Sequence, residues 1–148
     1  MIAAGSPAPD FECDSSTGRV HLRDLRGSPV VLYFYPEADT PGCTVESKKF
    51  RDLMPKFEAK GVRILGISTD AVPKQQAFAE KFDLPFPLIA DVSTKITELY
   101  GVLGSGGDAR RTTFLIDPKG IVVEVVDSRS ALEHPLAAER RFLGTSPA

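Results

Sequence analysis

Cysteine is scarce in this chain: Cys13 and Cys43 are the only two, thirty residues apart. That spacing makes neither a C-x-x-C redox pair nor a cluster of metal ligands, which argues against a dithiol oxidoreductase and against a resident metal. Long apolar runs are missing as well. None approaches the roughly 18 residues of a membrane helix, and Met1–Ser6 is too short for a signal peptide. There is no excess of either charge, since 18 Lys and Arg against 20 Asp and Glu leave a net charge of −2. Such a surface offers no electrostatic footprint for nucleic acid or an anionic membrane. The glycine-rich stretch Gly104-Ser105-Gly106-Gly107-Asp108 lacks the lysine and helix start of a phosphate-binding P-loop, and reads as a flexible loop. No internal repeat is present. A reducing, cytoplasmic setting is the default that remains. At 42% hydrophobic, residues 1–148 are expected to form one domain around a single core, with Gly144–Ala148 as a disordered tail.

What is present centres on Val30 to Asp52, VVLYFYPEADTPGCTVESKKFRD. Val30–Tyr35 is an apolar, β-branched and aromatic run that suits a strand buried on both faces. Pro36 ends it. Thr40-Pro41 reads as a helix start, with the Thr40 hydroxyl as N-cap and Pro41 in the first helical position. Cys43 then falls in the first turn, where unpaired N–H groups and the helix dipole favour the thiolate over the thiol. Gly42 leaves the approach to the sulfur uncrowded. A strand, a short loop and a helix carrying a cysteine in its first turn form the kind of strand-to-helix junction where open α/β folds place their chemistry.

The flanking chain supplies the scaffold. Phe11–Cys13 and Arg19–Leu22 are expected to pair as an N-terminal hairpin, and Leu22–Gly27 to make one helical turn. The helix after Cys43 carries an inward stripe of Phe50, Leu53, Met54 and Phe57, with Lys48, Lys49, Arg51 and Lys56 on the solvated side. Pro55 should bend that helix or end its first segment. Val62–Thr69 is a second buried strand, parallel to the first because a helix intervenes. Val72–Phe82 is a helix with Ala77, Phe78 and Phe82 inward. Leu84–Ala90, with two prolines, allows only a short edge strand. A helix capped by Asp91 over Thr94–Tyr100, a hairpin of Thr112–Asp117 and Ile121–Val126, and a helix over Ala131–Leu143 complete the chain.

Pro36, Thr40 and Cys43 match the pattern Pro-x-x-x-Thr-x-x-Cys, and FYPEADTPGCTVES followed by FRD extends the match. In these motifs the chain resembles the peroxiredoxins, in the branch of bacterioferritin comigratory protein and peroxiredoxin Q, from about Gly5 to Arg141. The resemblance implies a thioredoxin-like α/β fold, with a central mixed sheet flanked by helices. It also implies a thiol-dependent peroxidase without cofactor or metal, in which Cys43 reduces hydrogen peroxide or organic hydroperoxides and becomes a sulfenic acid. Arg111-Thr112-Thr113-Phe114 matches the family's Arg-x-Thr-Phe, so Arg111 is implied to face the sulfur, while Arg110 points to the opposite side of the strand. Thr40 and the Cys43 N–H are implied to bind the peroxide oxygen, Pro36 to shield the sulfur and Glu46 to orient an arginine. His21 and His134 are expected at the surface, with neither acting as a base.

For any thiol, acidity alone is a weak lever. Lowering its pKa from about 8.5 to about 6 raises the thiolate fraction at neutral pH roughly thirtyfold, but costs about tenfold in nucleophilicity. Positioning and transition-state stabilisation must supply the rest. One departure from the family matters. Many members carry a resolving cysteine five residues after the peroxidatic one, where this chain has Lys48; others carry it on the next helix, but Gln75–Lys81 has none. Cys13 is expected to be core packing. The expectation is therefore a one-cysteine cycle, closed by thioredoxin, glutaredoxin or a low-molecular-weight thiol, in a monomer or weak homodimer. The rival from another class is a thioredoxin-fold redox sensor or holdase switched by Cys43 oxidation.

Overall fold

The computed structural model describes residues 1–144, so most of the expected disordered tail lies outside the described residues. Strands β1 (Glu12–Ser15) and β2 (Gly18–His21) form the N-terminal hairpin, and a 3₁₀ turn over Leu22–Leu25 leads to β3 (Val30–Phe34). Helix α1 (Pro41–Ala59) crosses to β4 (Arg63–Ser68), followed by α2 (Val72–Lys81), β5 (Leu88–Ala90) and α3 (Lys95–Leu99). The hairpin of β6 (Thr112–Ile116) and β7 (Val122–Asp127) precedes α4 (Glu133–Leu143). All seven strands share one mixed sheet in the order β2-β1-β5-β4-β3-β6-β7. β3 runs parallel to β4 and antiparallel to β6. The parallel pairing follows from the helical crossover, because an immediate return can only give an antiparallel neighbour.

The alternation of β3 divides the core. Val31, Tyr33 and Tyr35 face a cluster that includes Cys43, Phe50, Leu53, Phe57 and Phe78. Val30, Leu32 and Phe34 face the opposite cluster, with Phe11, Tyr100, Val102 and Phe114. Burying Phe50 and Phe57 completely fixes α1 to the sheet, each contributing roughly 1.5–3 kcal/mol. Gly66 on β4 must be bare: a Cβ there would lie 2.8 Å from Leu88 Cδ2 and 2.9 Å from the Tyr33 ring.

Three expectations need correction. α1 does not end at Pro55 but runs on to Ala59, so of the two outcomes expected there the break does not occur. β5 is short but not at an edge, since it lies between β4 and β1. Pro85 and Pro87 precede the strand and cost its ladder nothing; the Pro87 carbonyl accepts the Gly66 N–H. Ala77 is exposed, and the inward positions of α2 are Gln75 and Phe78. The sequence hid this because Gln75 is polar, and its amide is buried to hold a hydrogen-bond chain.

Among the described residues no helix is long and apolar enough to cross a membrane.

Candidate active site

Cys43 is the third residue of α1 and is completely buried. The N–H groups of a first helical turn have no partner within the helix. Thr40 occupies the N-cap position but makes no side-chain cap. Its hydroxyl instead donates to the Glu37 carbonyl at 2.8 Å, which corrects the capping expectation. The orphan N–H groups around Cys43 therefore have no competitor from this side chain.

Arg111 reaches the sulfur from the start of β6. Its Nη2 lies 3.4 Å from Cys43 Sγ, and its Nη1 donates to Glu46 Oε1 at 2.7 Å. Arg110, one residue earlier, is exposed and paired with Asp127 at 2.8 Å. Both arginines precede β6 and border the same cleft, so the expected separation to opposite sides of the strand is not seen. Gly42 does more than leave the sulfur uncrowded. A Cβ at that position would sit 3.0 Å from Arg111 Nη2, so the absence of a side chain makes room for the guanidinium.

Pro36, Arg110 and Arg111 line one cleft of about 610 Å³ together with Asp127, Ser128 and Arg129. A hollow elsewhere, beneath Leu22, Leu25 and Ile116, holds about 20 Å³ and has no cysteine or histidine in its lining. The loop above the cysteine is tied down from α2 and β4. The Ala38 N–H donates to Asp70 at 2.7 Å, Lys74 pairs with Glu37 and Lys81 with Asp39. Behind Asp70 runs a buried chain. Ser68 donates to Asp70, Gln75 donates to Ser68 and to the Ile89 carbonyl, and the Tyr35 hydroxyl donates to Gln75.

Glu46 and His134 complete the surroundings. Glu46 is fully buried, and burial pushes its carboxyl up to about 8 although Arg111 pulls the other way. His134, expected at the surface, is also fully buried, because α4 lays it against β6. Its Nδ1 lies 2.8 Å from Thr113 Oγ1 and its Nε2 2.8 Å from the Ser128 carbonyl oxygen. The apolar spacing of Ala137 and Ala138, three and four residues on, was the available sign that His134 faces inward. His21 pairs with Asp10 at 2.8 Å, far along the chain from these groups.

The other expected positions lie apart from the cluster. Lys48 is exposed on α1. Cys13 is half-buried against the cluster on the opposite side of the sheet, its sulfur 3.3 Å from the Ala90 carbonyl oxygen. Burial pushes its thiol above the ordinary range. Among the described residues no group of His, Cys, Asp and Glu is arranged to hold a metal ion.

Residues 4–125 match the AhpC/TSA family. The chain is 42% identical over 132 residues to a Coxiella burnetii protein provisionally named peroxiredoxin bcp, covering 84% of this chain and 87% of that one. Its structure superposes on peroxidoxin BcpB from Mycobacterium tuberculosis with a TM-score of 0.88 and 39% identity, over 96% of this chain and 99% of the other. A Xanthomonas campestris bacterioferritin comigratory protein, described for its alkyl peroxide reduction activity, superposes with a TM-score of 0.87 at 31% identity, over 95% and 98% of the two chains. These neighbours share the thioredoxin-like fold.

Proposed function

The chain belongs to the AhpC/TSA family, among its Bcp and peroxiredoxin Q peroxiredoxins, and from that premise we propose that Cys43 is the peroxidatic sulfur of a one-cysteine cycle. The observation that carries this reading is the 3.4 Å contact of Arg111 Nη2 with Cys43 Sγ in the first turn of α1. A cation and a helix N-terminus there both stabilise an anionic sulfur.

The thiolate attacks the terminal peroxide oxygen and the O–O bond breaks. The sulfur is oxidised to a sulfenic acid, and the remaining oxygen leaves as hydroxide or alkoxide and takes a proton from solvent. Arg111 and the Cys43 N–H oppose the charge growing on the oxygens. Thr40 has committed its one proton to the Glu37 carbonyl, so its hydroxyl oxygen is an acceptor and orients the peroxide O–H. Pro36 borders the entrance and limits water. The alkyl peroxide reduction of the Xanthomonas relative supports organic hydroperoxides as substrates beside hydrogen peroxide.

An external thiol then condenses with the sulfenic acid to a mixed disulfide and water. A second thiol releases Cys43 and leaves as the disulfide. Thioredoxin, glutaredoxin or a low-molecular-weight thiol fits that role in a reducing compartment. Cys13 lies across the sheet from Cys43, and Lys48 stands where a resolving cysteine often sits. Mass spectrometry after stoichiometric peroxide, with and without a small thiol, tests the cycle. Sulfenic acid on Cys43 followed by a mixed disulfide is expected. A Cys13–Cys43 disulfide within the monomer would overturn the one-cysteine reading, and oxidation without turnover on any thiol would leave a sensor.

A further inference from the structure

The chemistry above uses Cys43, Thr40 and Arg111 and leaves a buried acid and a buried base unemployed. Glu46 and His134 have no accessible side-chain surface, and Glu46 Oε2 lies 3.7 Å from His134 Nδ1. That carboxylate oxygen has no hydrogen-bond partner among the described residues. An unpartnered buried oxygen is costly, and this one faces a ring nitrogen of known role. The Ser128 carbonyl can only accept, so Nε2 carries a hydrogen. In the neutral ring Nδ1 is therefore the lone-pair nitrogen, and Glu46 shares it with the Thr113 hydroxyl at 2.8 Å.

A count of charges gives the arrangement a purpose. Two groups compete for Arg111: the Glu46 carboxylate at 2.7 Å and the Cys43 sulfur at 3.4 Å. One guanidinium cannot neutralise two desolvated anions, and a net buried charge is expensive. Neighbouring groups do not relieve the excess. Asp127 and Glu133 add negative field at His134, and Tyr33 on β3 is held neutral by burial. We propose that Glu46 and His134 hold one buried proton between them, and that this proton frees the Arg111 charge for the Cys43 sulfur. The inference rests on the peroxidatic role proposed for Cys43. The pair is thus a positioning unit, acting on the reaction through Arg111. Burial pushes Glu46 up to about 8 and His134 down, which puts the proton on the carboxyl, facing Nδ1, near neutral pH.

The test is the pH midpoint of the second-order rate constant with hydrogen peroxide. Glu46→Gln mimics the protonated carboxyl that the parent already carries near neutral pH, so the midpoint should stay at the parent's value. His134→Gln keeps a donor for the Ser128 carbonyl but removes the proton's second holder, so the midpoint should rise. In the Glu46→Gln background the same His134 change should shift nothing, which a merely structural role would not produce. A midpoint that falls in Glu46→Gln, which would show an ionised Glu46 competing for Arg111, or an equal His134 shift in both backgrounds, overturns the proposal. If His134→Gln does not fold, infrared spectroscopy replaces it. A protonated-carboxyl band, absent in Glu46→Gln, should be lost at lower pH in Cys43→Ser than in the parent, because linkage is reciprocal. No band at neutral pH, or an unchanged titration, overturns it as well. Peroxidase activity surviving in Cys43→Ser would instead sink the function on which the inference rests.

Discussion

On one side of the sheet Phe34, Tyr100 and Phe114 meet at ring-centroid distances of 5.1 to 5.7 Å. The one hydroxyl in that trio leaves the cluster for the Pro9 carbonyl. On the other side, Tyr33 and Tyr35 spend their hydroxyls on buried partners, Ser47 and Gln75. Burial keeps both phenols well above their ordinary range and therefore neutral. Glu46, Arg111, His134 and Thr113 add a second polar line on that same side. Both layers are built on the same strands, and only side-chain parity separates them. A dry layer can hold the chain together without discriminating among chemistries, whereas a buried polar layer fixes where a charge can stand.

The largest effect expected from this contrast concerns the cysteines. Cys43→Ser should reduce thiol-dependent peroxide turnover to background, while Cys13→Ser, on the dry side, should keep most of it. A steady-state assay with a small thiol decides, and loss of turnover in Cys13→Ser would erase the distinction between the layers. Next, Phe114→Ala should lower stability by about 3–5 kcal/mol in denaturant unfolding, as expected for a large aromatic removed from a close-packed site. A loss below about 1 kcal/mol would mean that layer is loosely packed.

Thr40→Val should slow peroxide reduction on the order of 10²-fold, the cost of losing the acceptor that aligns the peroxide O–H with the sulfur. Stopped-flow rates that stay near the parent would remove Thr40 from the mechanism. Smaller still is the pH effect of Glu46, whose carboxyl is raised from 4.5 to about 8 in the folded chain. The folded state then binds the extra proton between those values, so this group's stabilisation is full below about 4.5 and is lost as pH rises through about 8. The stability of Glu46→Gln relative to the parent should therefore improve by several degrees in Tm between pH 5 and 8; a flat difference would contradict the raised value. The smallest change is Thr112→Val. Its buried hydroxyl has no hydrogen-bond partner among the described residues, so an apolar side chain of the same shape should be neutral or slightly stabilising.

Strands and helices whose partners are local were legible in the residues. The run at β3, the stripe on α1 and the Asp91 cap of α3 each carry their own signal, and the Asp91 carboxylate does accept the N–H groups of Ile96 and Thr97. The interior place of β5 was not legible, because strand order is decided by which hairpin docks where. Arg111 could be paired with Cys43 only through the family resemblance, since 68 residues separate them in the chain. His134 was misread because a lone histidine carries no sign of its partners; only the spacing of its helix hinted at burial. Thr40 was misread for a subtler reason, in that a cap and a turn compete for the same hydroxyl and the turn took it.

Gly42 sets stability engineering against function. Its backbone is helical rather than left-handed, so replacement by alanine conforms to every rule for strengthening a helix and promises up to about 1 kcal/mol. The added methyl would meet only the tip of a flexible side chain, which can yield by a few tenths of an ångström at little energetic cost. That tip is Nη2, the atom in contact with the sulfur. A screen that selects for melting temperature alone would accept the substitution, and what it gave up would be activity.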